Sequence, residues 1–174
     1  MSLAKDRLCP EGRLSRSTKD NAGQQILDIE SYIPCLLVAV NNSLTRGASQ
    51  YYIKNFGIGI VEWRVLAMLA IEPGIRASRI CEVISLDKAA TSRALQQLKK
   101  KNYLKYNNDK SGKQRLDWWL NGRGYELHDQ ILKVALERER QLITGAEPKD
   151  IEAYLRVMRL MLNNVSEISN RMNS

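Results

Sequence analysis

The 174 residues include one histidine, one phenylalanine, four prolines and three cysteines. A single histidine, His128, leaves no His-rich zinc site and no basis for His-based catalysis. Cys9, Cys35 and Cys81 are odd in number and widely spaced, so they give neither a disulfide framework nor a metal-ligand pattern. No apolar run reaches the length of a membrane span. The opening stretch "MSLAKDRLCPEGRLSRSTKDNAG" lacks the apolar core of a secretory signal, so the expected location is the cytoplasm. No C-x-x-C, H-E-x-x-H or glycine-rich phosphate loop occurs, and the sequence therefore predicts neither an enzyme nor a bound cofactor. Negative charge is the scarcer sign: 19 acidic against 27 basic residues leave a net +8. That excess suits a polyanionic partner, although solubility alone would also account for it.

Periodicity divides what remains. Residues 1–22 are polar and aperiodic, and read as a flexible basic arm. From Gln24, apolar residues recur at three and four: Ile26, Ile29, Ile33, Leu36, Leu37, Val40 and Leu44. This predicts a helix, with Pro34 kinking it or marking a junction, and a connection through Gly57 and Gly59 within residues 23–59. Residues 60–121 change character several times. "IVEWRVLAMLAI" is a compact apolar helix stopped by Pro73-Gly74. "RASRICEVIS" and "LDKAATSRALQQLKKKN" are two further helices with only "SL" between them, which is the layout of a helix-turn-helix. "YLKYNNDKSGKQRLDWWLN" then alternates strand formers around a polar turn, predicting a two-stranded hairpin with a basic tip. Residues 122–174 return to helix, with Gly145 and Pro148 at the break. The fold class is thus mainly α (α+β): a winged helix-turn-helix with a two-stranded β wing, flanked by N- and C-terminal helices. The last helix is apolar on more than one face, so the terminal helices are expected to supply a dimer interface.

The helix opened by Asp87 carries the strongest functional signal. Asp87 is the expected N-cap. Thr91, Ala94, Leu95 and Leu98 share one face and read as core. Lys88, Ala89, Ser92, Arg93 and Gln96 face away. Small residues permit close approach to a groove, Arg93 can reach a guanine edge or a phosphate, and Gln96 can pair with adenine. Lys99, Lys100 and Lys101 read as a solvated set of cations offsetting the helix dipole. Lys110, Lys113 and Arg115 at the hairpin tip suit a wing lying on phosphates, or a polar turn kept soluble. Arg76 and Ser78, with Arg79, frame the preceding helix and suit backbone anchoring.

These residues resemble the MarR (multiple antibiotic resistance) family of transcription regulators. The resemblance rests on "EWRVLAMLAIEPGIRASRICEVISLDKAATSRALQQLKKKNYL" and on "LNGRGYELHDQI" after the wing. Asp87, Lys88, Ser92 and Arg93 match the family's recognition-helix motif, Asp-Lys-x-x-x-Thr/Ser-Arg. The family's wing carries Asp-x-Arg at a fixed distance before Leu-Thr. Here Gly112 and Gln114 fill those places, and Arg115 follows one place later. Cys81 stands where a small Ala is usual, and Asn121 stands for Thr. The resemblance implies a homodimer that binds double-stranded DNA at a pseudo-palindromic operator, usually to repress. It also implies release by a small phenolic or other effector, for which Tyr32, Tyr52, Trp63 and Arg64 could line a pocket or simply pack. Two other readings stay open. One is thiol sensing through Cys35, which lies among apolar neighbours in "YIPCLLVAV". The other is a winged helix used for protein contacts without specific DNA binding.

Overall fold

Pro34 decides where the first long helix begins. It lacks an N–H and its fixed φ suits the first turn, so helix α1 runs Ile33–Phe56 with the proline at its start. There is no kink. The helix continues through Gly47 and ends where Gly57 turns left-handed at φ 68°. The computed structural model describes residues 13–108 and 116–172.

The segment before α1 differs from its expectation. Strands β1 (Thr18–Asn21) and β2 (Gln24–Leu27) pair antiparallel, so Ile26 belongs to a strand and not to the helix. The reason is the Ala22-Gly23 turn, where both residues have positive φ, 53° and 83°. That is the backbone a two-residue hairpin requires. The Arg13 guanidinium donates to the Ser31 carbonyl at 2.6 Å, which ties the start of the hairpin to the chain leading into α1. The flexible-arm reading thus fails from Arg13 onward; residues 1–12 lie outside the described residues.

Helix α2 spans Ile60–Ile71. Pro73-Gly74 stops it, and Gly74 at φ 85° donates its N–H to the Trp118 carbonyl. A short strand β3 (Ile75–Arg76) follows, then α3 (Ala77–Ile84) and α4 (Lys88–Lys100). The joint between α3 and α4 is as tight as its "SL" implies, because Ser85 adopts a left-handed φ of 51°. Strands β4 (Leu104–Asn108) and β5 (Leu116–Leu120) pair with Leu104 opposite Leu120 and Tyr106 opposite Trp118. Ile75 also pairs with Trp118, so the sheet has three strands in the order β3-β5-β4. The expected two-stranded wing gains this third strand from a segment too short to show periodicity.

The core of this first unit, Met1–Gly124, is built where α2, α3, α4 and β5 meet. Val65, Leu66, Leu69, Ile80, Leu95, Leu98 and Leu120 are almost wholly buried. Each such side chain contributes about 1.5–3 kcal/mol of transfer free energy. The fully buried Thr91 hydroxyl accepts from the Cys81 thiol at 3.2 Å, a close contact between α3 and α4. The second unit, Tyr125–Ser174, comprises most of α5 (Gly122–Leu142) and all of α6 (Pro148–Met172). Along α6, Tyr154, Val157, Leu160, Leu162, Val165 and Ile168 are exposed. Among the described residues, no helix is long and apolar enough to cross a membrane.

Candidate nucleic-acid interface

Helix α4 is divided as its sequence predicts. Thr91, Ala94, Leu95 and Leu98 are buried, whereas Lys88, Ala89, Ser92, Arg93 and Gln96 are exposed. Thr91 therefore belongs to the core and not to the contact surface. Asp87 caps the helix, its carboxylate accepting from the Ala90 N–H at 2.8 Å. The cap consumes a free N–H of the first turn and fixes where the exposed face begins.

A shallow recess of about 430 Å³ opens beside this face, between α3, α4 and β5. Ser92 and Gln96 contribute from α4, Arg76 and Ser78 from the start of α3, and Trp118 forms part of the floor. The structure thus brings four of the predicted residues together around one concavity. Arg76 pairs with Asp117 at 3.4 Å, but both side chains are exposed, so the pair is worth little and leaves the guanidinium available. Arg79 differs. Hydrogen bonds to Glu72 and then Glu82 raise its pKa further, and both carboxylates lie within 3.3 Å. Its charge is already matched inside α3 and its flank. Lys110, Lys113 and Arg115 at the wing tip lie outside the described residues.

The suggested effector residues are only partly gathered. Tyr52 is buried and meets Trp63 edge-on at 6.2 Å, joining α1 to α2. Arg64 follows on α2, half-buried. Tyr32 is the N-cap of α1, at the far end from Tyr52. Twenty residues of helix separate them, about 30 Å at 1.5 Å per residue. Cys35 sits half-buried in the first turn of α1. His128, with its side chain 16% exposed, lies 2.9 Å from Asp129.

The triple lysine is not the uniformly solvated set that helix spacing suggests. Lys99 lies over the Tyr106 ring, 4.0 Å from its centroid. The Lys101 ammonium donates to the Gly57 carbonyl at 2.6 Å and pairs with Glu62 at 3.2 Å. Only Lys100 keeps the expected exposed role. Spacing along one helix carries no signal for partners on other elements. Another residue missed as a position of interest is Gly124. A Cβ there would lie 2.3 Å from the Tyr103 carbonyl oxygen. The "LNGRG" stretch held that signal, as a glycine inside a helical pattern marks a close approach. Asn121 caps this junction, its side-chain oxygen accepting from the Gly124 N–H at 3.0 Å.

Comparison with known proteins bears on this geometry. Residues 56–115 match the model of the MarR family. No curated protein sequence matches the chain. Among solved structures, a MarR/EmrR family transcriptional regulator from Acinetobacter sp. ADP1 superposes with a TM-score of 0.75 at 28% identity, covering 81% of this chain and 99% of that one. MepR of S. aureus, solved in complex with DNA, gives 0.66 at 18% identity over 76% and 95% of the two chains. A mutant MarR from E. coli, complexed with operator DNA, gives 0.66 at 18% over 75% and 93%.

Proposed function

We propose that this chain, which carries the winged helix-turn-helix of the MarR family, is a sequence-specific DNA-binding transcription regulator with no enzymatic activity, acting in the cytoplasm as a homodimer. The observation that carries the reading is α4: one face fully committed to the core, the other presenting Lys88, Ala89, Ser92, Arg93 and Gln96 from a capped N-terminus. The small residues Ala89 and Ser92 let the front of the helix approach base edges. Arg93 and Gln96 then read them through paired hydrogen bonds. Lys88, Arg76 and Ser78 meet phosphates and set the helix in register. Lys110, Lys113 and Arg115 add wing contacts to the backbone. Two copies place their α4 helices in successive major grooves about 34 Å apart, on a pseudo-palindromic site. Occupancy of such a site represses, and a small phenolic effector held near Tyr52, Trp63 and Arg64 releases the protein. Support for the DNA partner also comes from MepR and MarR, whose folds this chain shares and which were solved on DNA.

The test is selection of bound duplexes from a random pool at fixed salt. Enrichment of an inverted repeat, with half-site centres about one helical turn apart, is the expected result. Salt-sensitive binding without any enriched sequence would overturn it in favour of a winged helix used for protein contacts.

A further inference from the structure

Three helix ends meet at Lys101. The C-terminus of α1 closes at Gly57, whose carbonyl accepts from the Lys101 ammonium at 2.6 Å. The N-terminus of α2 opens at Gly59, whose N–H donates to one oxygen of Glu62. The other Glu62 oxygen lies 3.2 Å from the same ammonium. Lys101 is itself the C-cap of α4, its N–H donating to the Gln97 carbonyl. The Glu62 side chain is 18% exposed and that of Lys101 35%, so water competes only partly with these bonds. Lys101 therefore ties the back end of the exposed-face helix to the end of α1, with the glutamate that starts α2 as the shared partner.

We infer that Lys101 is a positioning residue that fixes the orientation of α4 relative to α1, and so sets the spacing at which two α4 helices reach paired half-sites. The inference rests on the DNA-binding reading and deepens it. In a dimer joined through the terminal helices, any rotation of α4 about the α1–α2 corner is doubled across the two-fold axis. A single half-site tolerates that rotation, because one helix can follow its groove. An inverted repeat does not, because its half-sites are fixed by the duplex.

The experiment compares the full chain with Lys101→Met and Lys101→Arg on two duplexes, the selected inverted repeat and the same repeat with one half scrambled. Lys101→Met should lower the preference for the intact repeat roughly tenfold, the scale of one lost charge-assisted hydrogen bond, with the scrambled duplex bound as before. Lys101→Arg, which still donates to both acceptors, should recover most of the preference. Where circular dichroism finds Lys101→Met unfolded, Lys101→Gln is read in its place, with the same expected loss. An equal loss on both duplexes, with the salt slope reduced by about 1, would mean that Lys101 touches phosphate and would overturn the inference. Unchanged preference would overturn it too. Amide hydrogen exchange of the DNA-free protein separates this from the parent reading: Lys101→Met should speed exchange at Gly59 several-fold. Should the unaltered chain enrich no repeat, the DNA reading falls, and with it the spacing role of Lys101, whatever Gly59 does. Gly59 exchange unaffected by Lys101→Met would overturn the latch itself.

Discussion

Arg93 and Arg79 are both exposed arginines of the helix pair, and their surroundings set their uses apart. Arg79 is held between Glu72 and Glu82. Moving it to DNA would mean breaking bonds it already has. Arg93 stands on the free side of α4 and forms no ion pair among the described residues. Its guanidinium gives up only water on binding. A bidentate contact from such a group discriminates by about 1–3 kcal/mol. Arg93→Ala is therefore expected to weaken selected-duplex binding by about fivefold to 150-fold at fixed salt, with melting temperature unchanged. Operator affinity equal to that of the parent would remove Arg93 from the reading surface. At this scale the sequence was informative wherever the cause is local. Asp87 as a cap, Thr91 as core and the exposed set from Lys88 to Gln96 all follow from spacing on one helix. The partners of Lys99 and Lys101 do not, because Tyr106 and Glu62 reach them only once the chain has folded.

Elements add constraints that no single side chain explains. Gly124 lies in the first turn of α5, where the backbone passes against Tyr103 at the foot of the wing. Gly124→Ala would force a methyl into a carbonyl oxygen that belongs to backbone and cannot rotate away. Overpacking of this kind costs about 1–3 kcal/mol, so thermal melting should fall by several degrees. An unshifted melting curve would show that the junction can open at little cost. The hairpin ahead of α1 is a second case. Partial loss of water pushes the Asp28 carboxyl up, but hydrogen bonds from Ser31 and the Glu30 backbone, with Lys19 at 3.4 Å, outweigh it and lower its pKa. A lowered folded value means the stabilisation is complete above the ordinary Asp range near ~3.9 and is lost as pH falls through the folded value. Carboxyl-carbon titration by NMR should place Asp28 below that range, and Lys19→Met should move it up; a midpoint at or above the free-peptide value would sink the argument. The hairpin was not legible because its four-residue strands are mostly polar, and its only cue was an Ala-Gly turn. The long helices were legible from their apolar spacing, except at the start of α1. There Ile26 and Ile29 mimic one more helical turn, although the chain spends them on a strand and a loop.

For the whole molecule, the question is what covers its exposed apolar surface. Leu36, Val38 and Val40 stand half-exposed on α1. Tyr154, Val165 and Ile168 do so on α6, in a stripe continued by Met158 and Met161 at spacings of three and four. Exposed apolar side chains at helical spacing along one helix, as on α6, mark an interaction surface. A second copy of the chain is the economical occupant, because a two-fold partner also supplies the second recognition helix that an inverted repeat needs. Sedimentation equilibrium should therefore give twice the mass of the chain. Val165→Glu places a charge within the α6 stripe, where an unpaired carboxylate resists burial. It should raise the dimer dissociation constant by at least about tenfold. Binding to the intact repeat should become steeply dependent on protein concentration, since two monomers must then assemble on the duplex. The added glutamate takes the parent's net charge of +8 down by only one unit, so salt-sensitive bulk binding to DNA should persist. On the proposed reading that separates two contributions: charge would bring the chain to any duplex, and pairing of chains would select one. A Val165→Glu protein that stays dimeric would move the interface to another face, with the exposed side of α1 the next to probe.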